Sequence, residues 1–352
     1  MINVAVLAGG TSPEHDVSIR SGTQVLNALD RTKWRVWPVF LDAQGWWWPA
    51  DEPLGGEDLT TFPDPGALKL RPGAAVDHLI EKADVDIVFP ALHGKHGEDG
   101  TVQGMLELHE VAFVGSGTRA SALAMDKIHA RQVLQANNVV VAPAYVASTP
   151  LDRADGAVEA RNIAEAVGFP CFLKVDRSGS SLGVARASGP EDVWRFLDEC
   201  RPMGRRFIAE RLVSGDEITV PVLGNSGDEL QALPPVGIYP SDGADYFTYE
   251  AKYQPQKCEE IVPPRGMDSE DIGLVQELAM RCHRSLQCDG LSRTDMIMGD
   301  DGPVVLEVNT IPGLTPESLL PKSALAAGID FPVLIDRLLS YGLERVGVTE
   351  VV

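Results

Sequence analysis

Strand–helix alternation in the first third, a short mixed segment after it and a strand-rich final third predict an α/β and α+β chain. Its N-terminal domain is expected to be an open parallel α/β sheet, with ligands near the carboxyl ends of the strands. At 352 residues the chain suits two or three domains. A new segment opening at GSGTRASALAMDK and a strand-rich stretch from about Arg211 put the expected boundaries at residues 1–115, 116–210 and 211–352.

In chain order, short apolar runs predict strands at Asn3–Leu7, Val36–Leu41, Asp86–Leu92 and Ala112–Val114. Helical spacing predicts a helix from about Val17 to Leu29. Between Asp42 and Gly73, prolines and glycines predict an irregular connection; the run Trp46–Trp47–Trp48 reads as packing it onto the core, with a binding platform as the alternative. GSGTRASALAMDK opens the second segment with one helix continuing to Gln135. A helix at about Arg153–Val167, strand FPCFLKV, a glycine–serine loop at Arg177–Gly183, a helix around Asp192–Cys200 and strand RFIAERLV follow. Next come EITVPVL, a long polar loop over Tyr239–Pro264 and a helix from about Asp268 to Leu286. Two strands and a terminal helix at Phe331–Leu339 complete the chain, with TPES read as a helix start on Thr315 and Pro316.

The formal charge of −21 argues against nonspecific binding to nucleic acid or anionic membrane. No run of eighteen or more apolar residues is present, and MINVAVLAGG reads as a first strand, not a signal peptide. Five cysteines without CxxC spacing fit a reducing cytosol better than a disulfide framework.

The densest chemistry lies between Arg293 and Leu319. Arg293 and Asp295 are two apart in one strand, Glu307 and Asn309 two apart in the next, and side chains two apart share a face. GDDGP between them has hairpin-turn residues, so the strands are expected to pair antiparallel. That gathers three hard oxygen ligands beside a guanidinium, a set that suits magnesium shared with nucleotide phosphates. A solvated hairpin face stays open on spacing alone. Lys127, Lys174 and Lys252 lie at element ends or in loops, and RSGSSLG is rich in donors for phosphate. Two histidines in HGKHGEDG lack a helical HExxH frame and read as a substrate-positioning loop.

Taken in order, GGTSPEHDVS, HGKHGEDGTVQG, GSGTRASALAMDK, KVDRSGSSLG, YEAKY, RTD and EVNTIPGLTPESL resemble the ATP-grasp D-alanine–D-alanine ligases over nearly the whole chain. The resemblance implies an ATP-grasp fold, ATP as cosubstrate, two magnesium (or manganese) ions, two D-alanines, a cytoplasmic homodimer, and leaves room for a monovalent cation. It implies that Lys127, Lys174 and Lys252 contact ATP phosphates. Glu210 and the backbone to Leu212 would meet the adenine, and Glu217 the ribose. Asp295, Glu307 and Asn309 would hold the metals. Glu14, Ser180 and Tyr253 would surround the first D-alanine with His93 close by, while Ser318 and Leu319 would bind the second. Arg293 and the Gly313 amide would face the oxyanion. KVDR stands where lysine–proline is usual, and RTD where a larger aliphatic often separates arginine from aspartate. Tyr253 favours a dipeptide product over the D-alanine–D-lactate alternative. Another carboxylate–amine ligase or a silent nucleotide-binding regulator fits the motifs less well.

Overall fold

The computed structural model describes residues 1–56, 59–148, 153–177, 183–203, 206–240 and 258–348. Ser180, Lys252 and Tyr253 lie outside them.

The chain begins with β1 (Ile2–Gly9), α1 (His15–Ala28), β2 (Trp34–Leu41) and β3 (Trp47–Pro49). There follow α2 (Pro72–Glu81), β4 (Ile87–Pro90), α3 (Thr101–Leu108) and β5 (Ala112–Phe113). These strands form one sheet in the order β3-β2-β1-β4-β5, parallel except for the edge strand β3. Central β1 is apolar throughout its buried length because a parallel sheet is covered on both faces. Val4, Val6 and Ala8 enter one core with Val25 and Leu26 of α1; Ala5 and Leu7 enter the other with Val76 and Leu79 of α2. Gly22 lets α1 lie close to this sheet, since a Cβ there would stand 2.5 Å from Ala8 Cβ. The expected irregular connection contains β3, whose Trp47 is buried, while Lys69 rests against the rings of Trp46 and Trp48.

The expected single helix to Gln135 is two helices, α4 (Thr118–Met125) and α5 (Lys127–Ala136). The chain breaks at Asp126, which is extended and caps α5 by accepting from the His129 amide. Beyond them, β6 (Ala144–Ser148), α6 (Arg153–Ala166), β7 (Cys171–Val175), β8 (Val184–Ala187), α7 (Pro190–Cys200) and β9 (Arg206–Arg211) build an antiparallel sheet ordered β6-β9-β7-β8. Its core joins Leu173 and Phe207 to Ile163 of α6 and Phe196 of α7.

The third sheet comprises β10 (Asp216–Leu223), β11 (Gln231–Ala232), β12 (Val236–Pro240), β13 (Cys258–Ile261), β14 (Leu291–Gly299) and β15 (Gly302–Asn309), with α8 (Ser269–Leu286) before the last two. Its order is β13-β12-β10-β14-β15, with β11 also paired to β10. Val275, Ala279 and Cys282 of α8 share its core with Ala130 and Leu134 of α5. β14 and β15 pair antiparallel as the turn residues predict, with a register shift after Asp295. The extra residue, Leu306, explains how Val305 and Val308, three apart, both reach this core.

The chain ends in α9 (Leu319–Ala326) and α10 (Phe331–Glu344). The helix expected from Thr315 starts instead at Leu319, with Ser318 extended at its N-cap position. Pro321 decides this. In the first turn its missing amide costs no intrahelical bond, whereas a start at Pro316 would put it in the interior. α10 returns to the first sheet, burying Leu334, Ile335, Leu338 and Leu339 in the core that holds α1.

Candidate active site

Hairpin register brings the metal-ligating candidates together: Asp295 lies opposite Glu307, and Arg293 opposite Asn309. The buried Asp295 carboxylate takes Arg293 Nε on Oδ1 at 2.8 Å and Arg293 Nη2 on Oδ2 at 2.7 Å. Thr219 of β10, its partner across the ladder, donates to Oδ1 at 2.5 Å, and Asn309 Nδ2 donates to Oδ2 at 3.0 Å. Burial alone would push the Arg293 guanidinium down; Asp295, with Glu307 and Glu217 beyond it, holds it charged above its ordinary range. Thr294 is fully buried on the opposite, core-facing side.

Next to this face stand the cations. Lys127, first residue of α5, places Nζ 3.5 Å from Glu307 Oε2. Lys174 Nζ lies 2.6 Å from Glu210 Oε2, and Arg131 Nη1 2.9 Å from Glu210 Oε1. Burial would lower Lys174, yet Glu210, Glu307 and Glu217 outweigh it and raise the ammonium. Glu217 projects from β10 between Ile238 and Ile297, and Leu212 directly follows β9. Lys127 lies against Glu307, and Lys174 lies within the field of Glu210, Glu307 and Glu217.

A cleft of about 690 Å³ is lined by Glu14, His93, Arg293, Asn309, Gly313, Ser318 and Leu319. Glu14 sits at the start of α1, and His93 follows β4 by three residues; both lie beyond the carboxyl ends of parallel strands. Buried His93 shares a 2.9 Å hydrogen bond between Nε2 and Ser21 Oγ, with Glu98 Oε1 3.5 Å from Nδ1. His96 turns elsewhere, to Thr11 Oγ1 at 3.3 Å. Gly94 has φ +71°, and a Cβ there would lie 2.5 Å from Glu14 Oε2, so only glycine leaves that carboxylate its place. Across the cleft, Ser318 Oγ accepts from the Thr315 amide at 3.1 Å, and a Cβ on Gly313 would come 2.7 Å from the same oxygen.

The arrangement therefore sets an acidic, hard-oxygen face with buried cations against a cleft carrying a carboxylate, a guanidinium and hydroxyls. Sequence comparison matches residues 3–116 to the N-terminal and residues 133–340 to the C-terminal model of the D-ala D-ala ligases. The chain belongs to the D-alanine–D-alanine ligase family. The D-alanine--D-alanine ligase of Syntrophobacter fumaroxidans is 37% identical over 97% of this chain and 98% of its own. Among solved structures, the D-alanine-D-alanine ligase of Coxiella burnetii has TM-score 0.78 at 26% identity, covering 98% of this chain and 94% of that one. The Bacillus anthracis ligase complexed with ATP has TM-score 0.72 at 28% identity, covering 98% of both chains.

For this ligase, the site residues that sequence reasoning missed are those joined only by the fold. Thr219 reaches Asp295 across 76 positions, and Arg131 reaches Glu210 across 79. Arg20 and Thr23 add α1 to the cleft wall. Glu98 was within reach of reading, since the glycine-punctuated loop HGKHGED bends it back onto His93.

Proposed function

We propose that this chain joins two D-alanines into D-alanyl-D-alanine with consumption of ATP, for peptidoglycan precursor synthesis. The observation that carries the proposal is the continuity of the cleft with the Arg293–Asp295–Asn309 face, Lys127 and Lys174 flanking it. A carboxylate is a poor electrophile. In the first step, a carboxylate oxygen of one D-alanine attacks the γ-phosphorus, ADP leaves and an acyl phosphate forms. Lys127 and Lys174, with Lys252, offset the charge of the phosphates. The neutral amine of the second D-alanine then attacks the acyl carbon. Phosphate leaves, the C–N bond forms and the amine's proton passes to the departing phosphate as base. Arg293 and the Gly313 amide meet the oxyanion of the tetrahedral intermediate. Glu14 and His93, with Ser180 and Tyr253, hold the first substrate; Ser318 and Leu319 hold the second. Glu210, Leu212 and Glu217 take the adenosine.

Asp295, Glu307 and Asn309 offer two carboxylates and an amide oxygen on neighbouring strands, a donor set that fits magnesium or manganese and leaves sites for phosphate oxygens. Those residues would hold the metals, which when bound supply charge neutralisation at the transferring phosphate. The same reading includes a homodimer in the cytosol and the three-unit division at residues 115 and 210. Sedimentation velocity tests the first of these. No helix among the described residues is long and apolar enough to cross a membrane.

Oxygen-18 in the D-alanine carboxylate tests the chemistry. The acyl-phosphate route carries one labelled oxygen into the released phosphate; dipeptide formed with unlabelled phosphate would exclude that route.

A further inference from the structure

Lys127 and Lys174 belong to different hydrophobic cores. Lys127 opens α5, whose Ala130 and Leu134 pack beneath the third sheet, whereas Lys174 is on β7, whose Leu173 and Val175 pack in the second. Neither core by itself fixes the spacing of the two ammonium groups.

Ionic contacts cross the gap. Asp126, immediately before Lys127, is buried and uses both its oxygens. Oδ1 accepts from the His129 amide at 3.0 Å, which caps α5, while Oδ2 accepts from Arg177 Nε and Nη2 at 3.0 and 2.8 Å. Arg206 Nη2 donates to Asp126 Oδ2 at 3.3 Å and to Asp176 Oδ2 at 2.6 Å. Asp176 and Arg177 directly follow β7, and Arg206 opens β9. Capping α5 needs only one of these oxygens; the second is committed to the other sheet. Arg177 also has φ +60°, an uncommon conformation for a side-chain-bearing residue, stabilised here by its two bonds to Asp126.

We propose that Asp126 is a positioning residue for nucleotide binding. Through Arg177 and Arg206 its carboxylate ties the start of α5 to the end of β7 and, beside the Arg131–Glu210–Lys174 contacts, helps set the separation at which Lys127 and Lys174 grip the polyphosphate. The inference rests on the phosphate role proposed above for the two lysines.

Asp126→Asn separates the cap from the tie, because asparagine caps a helix about as well as aspartate but loses the charge. Steady-state kinetics of Asp126→Asn, Arg177→Gln and their double variant are measured beside Lys127→Ala and Lys174→Ala, with thermal melts of each. Losing one charge-assisted tie is expected to raise the ATP KM about tenfold in each single variant. kcat at saturating ATP, the D-alanine KM values and the melting temperature stay close to wild type. The double variant is expected to be no worse than either single one, since both cut the same link. Arg177→Lys is expected to recover part of the affinity. An unchanged ATP KM in Asp126→Asn and Arg177→Gln, with affinity lost in both lysine variants, overturns the tie alone. A fall in melting temperature without a change in ATP KM does the same, leaving Asp126 a structural residue. Unchanged ATP KM in both lysine variants overturns the phosphate reading, and the inference with it.

Discussion

At the scale of single residues, Asp295 carries the most. Its two oxygens accept from Arg293, Thr219 and Asn309 within one buried cluster. Removing the carboxylate strands a buried guanidinium, which costs about 3–5 kcal/mol when a buried pair is broken from one side. Asp295→Ala is therefore expected to lose about that much stability in urea unfolding as well as all turnover; an unfolding midpoint equal to wild type would contradict the pairing. Glu307 differs. It is partly exposed, so Glu307→Gln is expected to keep the melting temperature while abolishing turnover through loss of an anionic metal ligand. Chelation of the wild type should abolish turnover reversibly, with recovery on adding magnesium or manganese. Near-normal rates in Glu307→Gln would sink the metal assignment. Arg293, Asp295, Glu307 and Asn309 were legible because period-two spacing and a turn sequence are local signals. Thr219, Arg131 and the second use of Asp126 were not, because no spacing links residues that meet only when separate elements pack.

Elements were legible where periodicity was long and punctuation clear. The central strands, α1, α8 and the β14–β15 hairpin fall close to their expected positions. Misplaced ends trace to short-range rules that compete. Pro316 resembles a first helical residue, but Pro321 excludes a helix running through it; Asp126 looks internal to a helix but prefers to cap the next one. The segment before α9 matters because it aligns Gly313 with Ser318. In Gly313→Ala the new methyl meets the Ser318 hydroxyl, and such a displacement next to a bound substrate is expected to raise the KM for the second D-alanine about tenfold or more. The ATP KM should not move. A change in the ATP KM instead would place this loop at the other end of the site.

Over the whole molecule, three sheets surround one site, and the last helix closes back on the first sheet. That return was not legible, since an amphipathic helix does not announce which sheet will cover its apolar stripe. α8 and the third sheet are also joined by a buried polar contact, His283 Nδ1 to Ser292 Oγ at 2.8 Å. Burial lowers His283 from 6.5 to about 4. Between those values the unfolded chain binds a proton that the native histidine refuses. Stability is thus retained above pH 6.5 and falls as pH drops toward 4, by up to about 3 kcal/mol. His283→Gln should lose this part of the slope when urea midpoints are compared across that range; a variant with the wild-type slope would remove His283 from the account.

The most direct measurement is product analysis of the full chain with magnesium-ATP and D-alanine, with D-lactate and D-serine as competing acceptors. D-alanyl-D-alanine as the dominant product, with one ADP and one phosphate released per dipeptide, is the expected result. ATP hydrolysis without any D-alanyl product, or a depsipeptide as the main product, would contradict the account.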